Sequence, residues 1–282
     1  MMRLNHLRLA SVLIACLGVP GGSWPAAALT PAGELAAHRA VYELKLASTR
    51  GKGGAVAARG RILYDFSGSL CEGYTLEFRQ VSELDNGEGK VTLSDLRSTT
   101  WEDSAAGAYR FASQNYLNQQ LIEAVDGRAE RGTNAIRVTL TKPADKTLDL
   151  DLAIVFPTEH VRRILDAARD GKSILEFPIY DGSESGEKVY NTLTVIGREI
   201  GPDHAPTDAA RDQQALAGMK RWPVTVSYFE KSAKQGEQIP VYSIAFELYE
   251  NGISRALLLD YNNFTISGEL KTLEIKDTKP CP

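Results

Sequence analysis

Among the 282 residues there are three cysteines, four histidines, three methionines and three tryptophans. These scarcities narrow the chemistry. No histidine stands four residues from another His or Cys, so the close ligand spacing of a zinc site is missing. There is no G-x-S-x-G elbow, no H-E-x-x-H pair and no C-x-x-C, which leaves the common hydrolase, metalloprotease and redox signatures without a carrier. No apolar run reaches the roughly 20 residues that a membrane helix needs, so no membrane span is expected. Basic residues are not in excess: 32 Lys and Arg stand against 36 Asp and Glu. This balance argues against a nucleic-acid binder and against a polybasic membrane anchor.

The first residues read as an export signal. Arg3 and Arg8 precede a short apolar run from Leu9 to Leu17, which Pro20, Gly21 and Gly22 interrupt. Ala26-Ala27-Ala28 then supplies the small residues of a cleavage site. The expected signal peptide is 1–28, with cleavage between Ala28 and Leu29 and a single mature domain over 29–282. A second reading takes Leu13-Ile14-Ala15-Cys16 as a lipobox with Cys16 lipidated. The mature chain loses two basic residues and no acidic one, so its formal charge is 30 − 36 = −6. It keeps two cysteines, Cys71 and Cys281. An even count in the oxidising periplasm points to one disulfide; the alternative is two unpaired thiols.

Strict alternation dominates the mature chain. Val41–Leu46, Leu148–Ile154 and Val224–Phe229 each place apolar residues at every second position, and Leu270–Ile275 is read as a further alternating segment. Period two predicts strands with one buried face and favours an antiparallel sheet. About fourteen such segments can be counted. Asn86-Gly87, Asp126-Gly127, Asp181-Gly182 and Asn251-Gly252 are expected as tight turns between strands. One helix is predicted, capped by Thr158 and ended by Gly171, with Val161, Ile164, Leu165 and Ala168 on one face. A short leading helix is expected over 31–38, and a surface loop with weak helical character over 203–220.

Several stretches could carry chemistry. Cys71 with His38 or His160 as base is a conceivable nucleophile, but a periplasmic thiol is kept oxidised. His160 itself is expected on the helix as a surface or packing residue. Arg50-Gly51-Lys52-Gly53-Gly54 lacks phosphate-loop spacing and reads as a hairpin tip. Asp181 to Gly186 resembles the first half of a calcium loop, but the twelfth position is Thr192 where a bidentate Glu is needed. The 181–188 segment is therefore expected to be an exposed polar turn. Asp149 and Asp151 are expected on the solvated face of a strand. No metal, cofactor or catalytic residue is expected. The aromatics Tyr64, Phe66, Tyr74, Phe78, Tyr228, Phe229, Tyr242, Phe246, Tyr249, Tyr261 and Phe264 are expected to fill a core; the alternative is that they line an apolar groove.

Four stretches carry a family resemblance. They are Leu35–Tyr42; Asp181-Gly182-Ser183 with Lys188–Thr192 and Val195-Ile196-Gly197; Trp222-Pro223-Val224 with Tyr228-Phe229; and Asp260–Phe264 with Pro280-Cys281. Together the chain resembles the EipB family, periplasmic envelope-integrity proteins of alphaproteobacteria. The resemblance implies a mainly β fold: a β-spiral or opened barrel of about fourteen strands in one curled antiparallel sheet, with a few short helices. It implies a disulfide between Cys71 and Cys281, and a role in envelope integrity and stress resistance without a defined reaction. The expectation is a non-enzymatic periplasmic factor that binds a periplasmic protein or envelope component. The alternative is a carrier or sensor of lipid or lipoprotein with an apolar groove. An open apolar cavity would favour the carrier; a filled core with an exposed edge strand would favour protein binding.

Overall fold

The computed structural model describes residues 34–50, 55–230 and 239–278. Fourteen strands dominate it: β1 (His38–Thr49), β2 (Ala57–Ser69), β3 (Gly73–Asp85), β4 (Val91–Glu102), β5 (Ala108–Leu117), β6 (Gln120–Arg131), β7 (Ile136–Lys142), β8 (Lys146–Leu150), β9 (Ile174–Ile179), β10 (Tyr190–Ile196), β11 (Arg221–Glu230), β12 (Tyr242–Tyr249), β13 (Ser254–Asp260) and β14 (Phe264–Ile275). One α-helix, α1 (Pro157–Arg169), lies between β8 and β9. All fourteen strands belong to one sheet in the order β8-β7-β6-β5-β4-β3-β2-β1-β14-β13-β12-β11-β10-β9. Sequential strands pair as antiparallel hairpins, except that β1 pairs with β14 and the two edges, β8 and β9, are joined through α1.

The sheet is curled but not closed. After β8 the chain lays Val155 beside Ile179 of β9 in a short parallel bridge. Val155 N–H donates to Pro178 O at 2.9 Å and Tyr180 N–H to Val155 O at 3.1 Å. The alternation read from sequence sorts the faces: Ala40, Tyr42 and Leu44 of β1 point inward and are buried. In β14 the rule bends. Val41 pairs with Thr272 and Tyr42 with Leu270, which leaves Lys271 as a bulge and buries both Leu270 and Leu273.

One turn expectation is corrected. Asp126-Gly127 is not a turn but lies inside β6, where Gly127 pairs with Phe111. A Cβ there would come within 2.7 Å of Phe111 Cζ and 2.8 Å of Leu140 Cδ2, so this glycine serves close packing. The actual β5–β6 turn is Asn118-Gln119, with φ of 50° and 69°, the left-handed pair of a two-residue hairpin. No glycine marks it. Likewise 34–37 is irregular and His38 opens a strand, so the leading helix is not formed among the described residues. The 203–220 segment contains two short 3-10 turns, Ala209–Asp212 and Gln214–Leu216, whose Ala210 and Leu216 are buried in the core and not spread over the surface.

The helix is where expected, but Thr158 does not cap it. Phe156 occupies the N-cap position and Pro157 the first turn. The free amides of Thr158 and Glu159 donate to the Glu102 carboxylate of β4, each at 2.7 Å. A residue 56 positions away thus supplies the oxygen that a local Ser or Thr usually supplies. Gly171, with φ of 72°, ends the helix as expected. Its inner face packs Ile164 and Leu165 against Phe66, Tyr74, Trp222 and Leu248.

Burial pushes the Glu102 carboxyl up, the two amide donors pull it down, and burial wins, holding it at about 7. The raised value means that the folded state binds this proton more tightly than the unfolded chain. Stability from this group is therefore full below about pH 4.5 and declines as pH rises through 7, by up to about 3 kcal/mol. Thermal melts between pH 5 and 7.5 should show that decline in the wild type and a flatter profile in Glu102→Gln, which keeps an acceptor but does not titrate.

Candidate ligand cavity

The concave side of the sheet is only partly filled. At one side Tyr109, Phe111, Phe156 and Tyr180 form a packed core with β6 and β7 residues. At the other, α1 packs on β11 and β12. Between them lies a chamber of ≈ 290 Å³. Its walls carry Ile62, Phe78, Val226, Tyr228, Tyr242, Ile244 and Phe246, with Ile164 and Val161 of α1 on one side. Among the described residues, no Asp, Glu, Lys or Arg lines it.

The titratable groups that do line the chamber are neutral at pH 7. Burial lowers His160 to about 4, assisted by the Arg163 charge. Its Nε2 lies 3.4 Å from Thr194 Oγ1 and its ring meets Phe177 edge-on at 6.1 Å, so it sits as a packing residue of the wall. Burial pushes Tyr64 up to about 12 and raises Tyr42, Tyr228 and Tyr242 as well. The Tyr42 hydroxyl donates to Ser254 O at 2.8 Å.

The aromatics divide between the two readings. Phe66, Tyr74 and Tyr249 are buried core. Tyr64, Phe78, Tyr228, Tyr242 and Phe246 are only partly buried and face the chamber. A ladder of rings runs across neighbouring elements: Tyr190 to Tyr228 at 6.2 Å, Tyr228 to Tyr242 at 5.9 Å, Tyr242 to Tyr261 at 5.1 Å and Tyr261 to Phe264 at 5.1 Å. Such contacts stiffen a wall that would otherwise be two strands of half-exposed side chains.

A second chamber of ≈ 270 Å³ adjoins the first, sharing Phe78 and Pro157 in its lining. Ser98, Thr100, Ser113, Asn115, Glu123 and the start of the 181–188 segment line it, among Leu76, Leu96, Tyr109 and Phe111. That segment corrects a sequence expectation, because it does not stand out as an exposed turn. Gly182, with φ of 68°, and Gly186, with φ of 77°, are both buried. A Cβ on Gly182 would come within 2.4 Å of Phe111 Cδ2, and one on Gly186 within 2.8 Å of Leu140 Cδ2. The Tyr109 hydroxyl donates to Asp181 O at 2.9 Å and the Tyr180 hydroxyl to Gly186 O at 2.6 Å. Desolvation raises the Asp181 carboxyl above its usual range. Thr192 is buried in β10 with its hydroxyl on Phe177 O at 2.9 Å, so it does not belong to a loop around Asp181.

A family model of EipB-like proteins matches residues 29–277. The chain belongs to the EipB-like family. It is 34% identical over 276 residues to the cell envelope integrity protein EipB of Brucella abortus, covering 96% of this chain and 97% of that one. A crystal structure of a β-barrel-like protein of a domain of unknown function, also from Brucella abortus, superposes with a TM-score of 0.79 at 33% identity, covering 86% of this chain and 99% of that one.

Other predicted residues of this EipB-like chain fall outside the chambers. Cys71, after β2, is disulfide-bonded. Cys281, Cys16, Ala28 and Leu29 lie outside the described residues. Arg50 forms a two-point pair with Asp260, at 3.0 and 2.8 Å, and 51–54 are outside the described residues. Asp149 pairs with Arg137 at 3.1 Å, while Asp151 accepts from Ala153 N–H at 2.8 Å, so the two carboxylates do separate work.

His38, a conceivable base by sequence, is buried against Tyr64 and Phe66. Its Nδ1 is 2.7 Å from Ala36 O. A carbonyl only accepts, so Nδ1 carries the hydrogen and Nε2 is left as an acceptor facing a small cavity of ≈ 80 Å³.

The Gly182 contact gives a direct check of the inward fold of its loop. Gly182→Ala should destabilise the protein by about 2 kcal/mol in urea titrations, through both the left-handed φ and the Phe111 contact. Phe111→Leu made in the Gly182→Ala background should cost less than Phe111→Leu alone.

Proposed function

We propose that this protein supports cell envelope integrity without catalysis, by holding the apolar chain of an envelope lipid or lipidated molecule in the curl of its sheet. The uncharged chamber behind Tyr228, Tyr242, Ile244 and Phe246 carries this reading. Its volume is near the lower end of small-ligand pockets, roughly 300–1,000 Å³, and aliphatic and aromatic walls of this kind favour hydrocarbon. The envelope role is supported by the name of the Brucella abortus relative, a cell envelope integrity protein. The reading replaces protein docking as the leading mode. An edge remains available for a protein partner, since β8 has a neighbour on one side only.

The compartment belongs to the same proposal. Residues 1–28 act as an export signal, the mature domain of 29–282 starts at Leu29 in the periplasm, and Cys71 pairs with Cys281. The start of the family match at residue 29 and the oxidised state of Cys71 support this. Thiol labelling of periplasmic protein under denaturing, non-reducing conditions should find no free cysteine. Two labelled cysteines would overturn the pairing.

Native mass spectrometry of the periplasmic protein tests the central proposal. A lipid-sized adduct is expected on a polypeptide beginning at Leu29, and Ile244→Trp, which fills the chamber, should lose it while keeping its melting temperature within a few degrees. A bare polypeptide, or an adduct retained by the filled variant, would sink the carrier reading. A diacylglyceryl chain beginning at Cys16 would overturn the cleavage site.

A further inference from the structure

The hairpins of an antiparallel sheet alternate between its two ends. Those joining β1–β2, β3–β4, β5–β6, β11–β12 and β13–β14 lie on one rim of the curl, and the connection from β8 to β9 that carries α1 lies on the other. Among the described residues eleven large hydrophobic side chains are exposed, and seven of them stand on the hairpin rim. Leu117, Leu121 and Ile122 flank the β5–β6 turn, with Ile122 56% exposed. Val56 and Val91 stand at the β1–β2 and β3–β4 hairpins, and Ile239 and Val241 lead into β12. Leu152, Ile174, Val195 and Leu258 are scattered elsewhere. Single exposed apolar residues are ordinary; seven gathered on one rim of an open sheet are not.

These tips are held in place. Val56 N–H donates to Asp85 O at 2.8 Å, beside Val91, the cross-strand partner of Asp85. Asn118 N–H donates to Leu93 O at 2.7 Å, and Asn118 Oδ1 accepts from Leu93 N–H at 3.0 Å. Asn262 Nδ2 donates to Pro240 O at 3.0 Å, between Ile239 and Val241. Charges of the rim pair with one another: Arg50 with Asp260, Lys146 with Glu187 and Lys188 with Glu184. The apolar chamber reaches the same rim. Tyr242 of its wall is the first residue of β12, and the ring ladder from Tyr190 to Phe264 runs along the strand ends there. Pro157, His160 and Ile164 of α1 line its other end.

We infer that this rim docks on a lipid bilayer, with its apolar tips inserted among the head groups and the chamber turned toward the membrane. The inference rests on the carrier reading and deepens it by naming the surface at which the chain is taken up and released. A hydrocarbon chain is scarcely soluble in water, so its transfer needs contact between chamber and lipid. The arrangement of the tips also favours a bilayer over a protein. A protein interface has a continuous, desolvated apolar centre. Here the apolar groups stand on separate hairpins around an open curl, which fluid lipid can fill and a rigid surface cannot. Tyrosines at the strand ends suit the head-group level. With rim charges paired, attachment comes from buried apolar area and not from attraction to anionic lipid.

The test is flotation of the full mature protein with vesicles of phosphatidylethanolamine and phosphatidylglycerol. The wild type should float, and screening by salt should change its binding by less than about twofold. The double variant Leu121→Ser/Ile122→Ser should bind at least about tenfold more weakly. Ile239→Ser, on a different hairpin, should weaken binding about threefold, and it decides the matter if melting curves show that the double variant fails to fold. Ile174→Ser removes a side chain that is 64% exposed on the opposite rim, and it should float like the wild type. A wild type that keeps its native lipid adduct yet stays in the aqueous fraction would overturn rim docking and leave the carrier reading standing. Unchanged flotation of the tip variants, an equal loss in Ile174→Ser, or release from the vesicles by salt would overturn it as well. Flotation through these tips by a protein with no lipid adduct would keep the docking surface and overturn the carrier reading.

Discussion

The curl of the sheet depends on one seam, the segment 152–159 that carries the chain from edge strand β8 to helix α1. Its hydrogen bonds reach three strands and a ring contact reaches a fourth. Val155 pairs with β9, Glu102 of β4 holds the amides of Thr158 and Glu159, and Phe156 stacks on Tyr109 of β5 at 5.2 Å. Arg131 of β6 binds Leu152 O at 2.6 Å, Ile154 O at 3.0 Å and Glu159 Oε2 at 3.1 Å, with its guanidinium over the Phe156 ring. A fourteen-stranded open sheet would otherwise twist apart, since each strand is held only by its neighbours. The seam brings the first and last strands of the spatial order together without pairing them into a barrel. What remains between seam and sheet is the space that a closed, fully packed barrel would have filled.

That space is partitioned by chemistry. On the side of β1–β3 and β11–β13, the inward positions are aliphatic and aromatic, and the few polar groups are neutral by burial. On the side of β4–β6, Ser98, Ser113, Asn115 and Glu123 are interspersed with Leu96, Tyr109 and Phe111. A buried network of charges sits elsewhere, where Arg255 bridges Asp208 at 2.9 Å and also binds Glu247, which pairs with Arg221 at 2.6 Å. It fastens the 3-10 segment to β11, β12 and β13. Charges are thus kept paired at the fastening points and out of the apolar chamber, as the desolvation penalty for an unpaired buried ion requires.

Membership of the EipB-like family and the open, lined interior bear on different levels of function. The first places the chain beside a protein named for cell envelope integrity; the second is a chamber with aliphatic and aromatic walls, on which the proposal of a carrier rests. The helix takes part in both halves of this construction. Its inner face is core for β11 and β12, and Val161 and Ile164 are wall for the chamber. Displacement of α1 would therefore change the chamber and the seam together.

Strand content, antiparallel pairing and the helix at 157–169 were legible because they are written in local periodicity, which depends only on which side of a strand or helix a side chain leaves. The glycine of the helix stop was legible for the same reason. The Thr158 cap was not, because a hydroxyl near a helix start is indistinguishable in sequence from one that caps, and the acceptor came from Glu102 on another strand. Asp126-Gly127 and Asp181-Gly182 are turn-forming pairs like Asn86-Gly87, yet Gly127 and Gly182 are there because Phe111 lies against their backbones. Composition records that a side chain is missing, not what fills its place. The chambers were likewise beyond reach. Alternation says that Tyr228 and Phe246 face inward, but whether the inside is packed or open depends on how far a sheet of fourteen strands curls before its edges meet. That radius is decided by the seam, whose partners lie up to 57 residues apart in the chain.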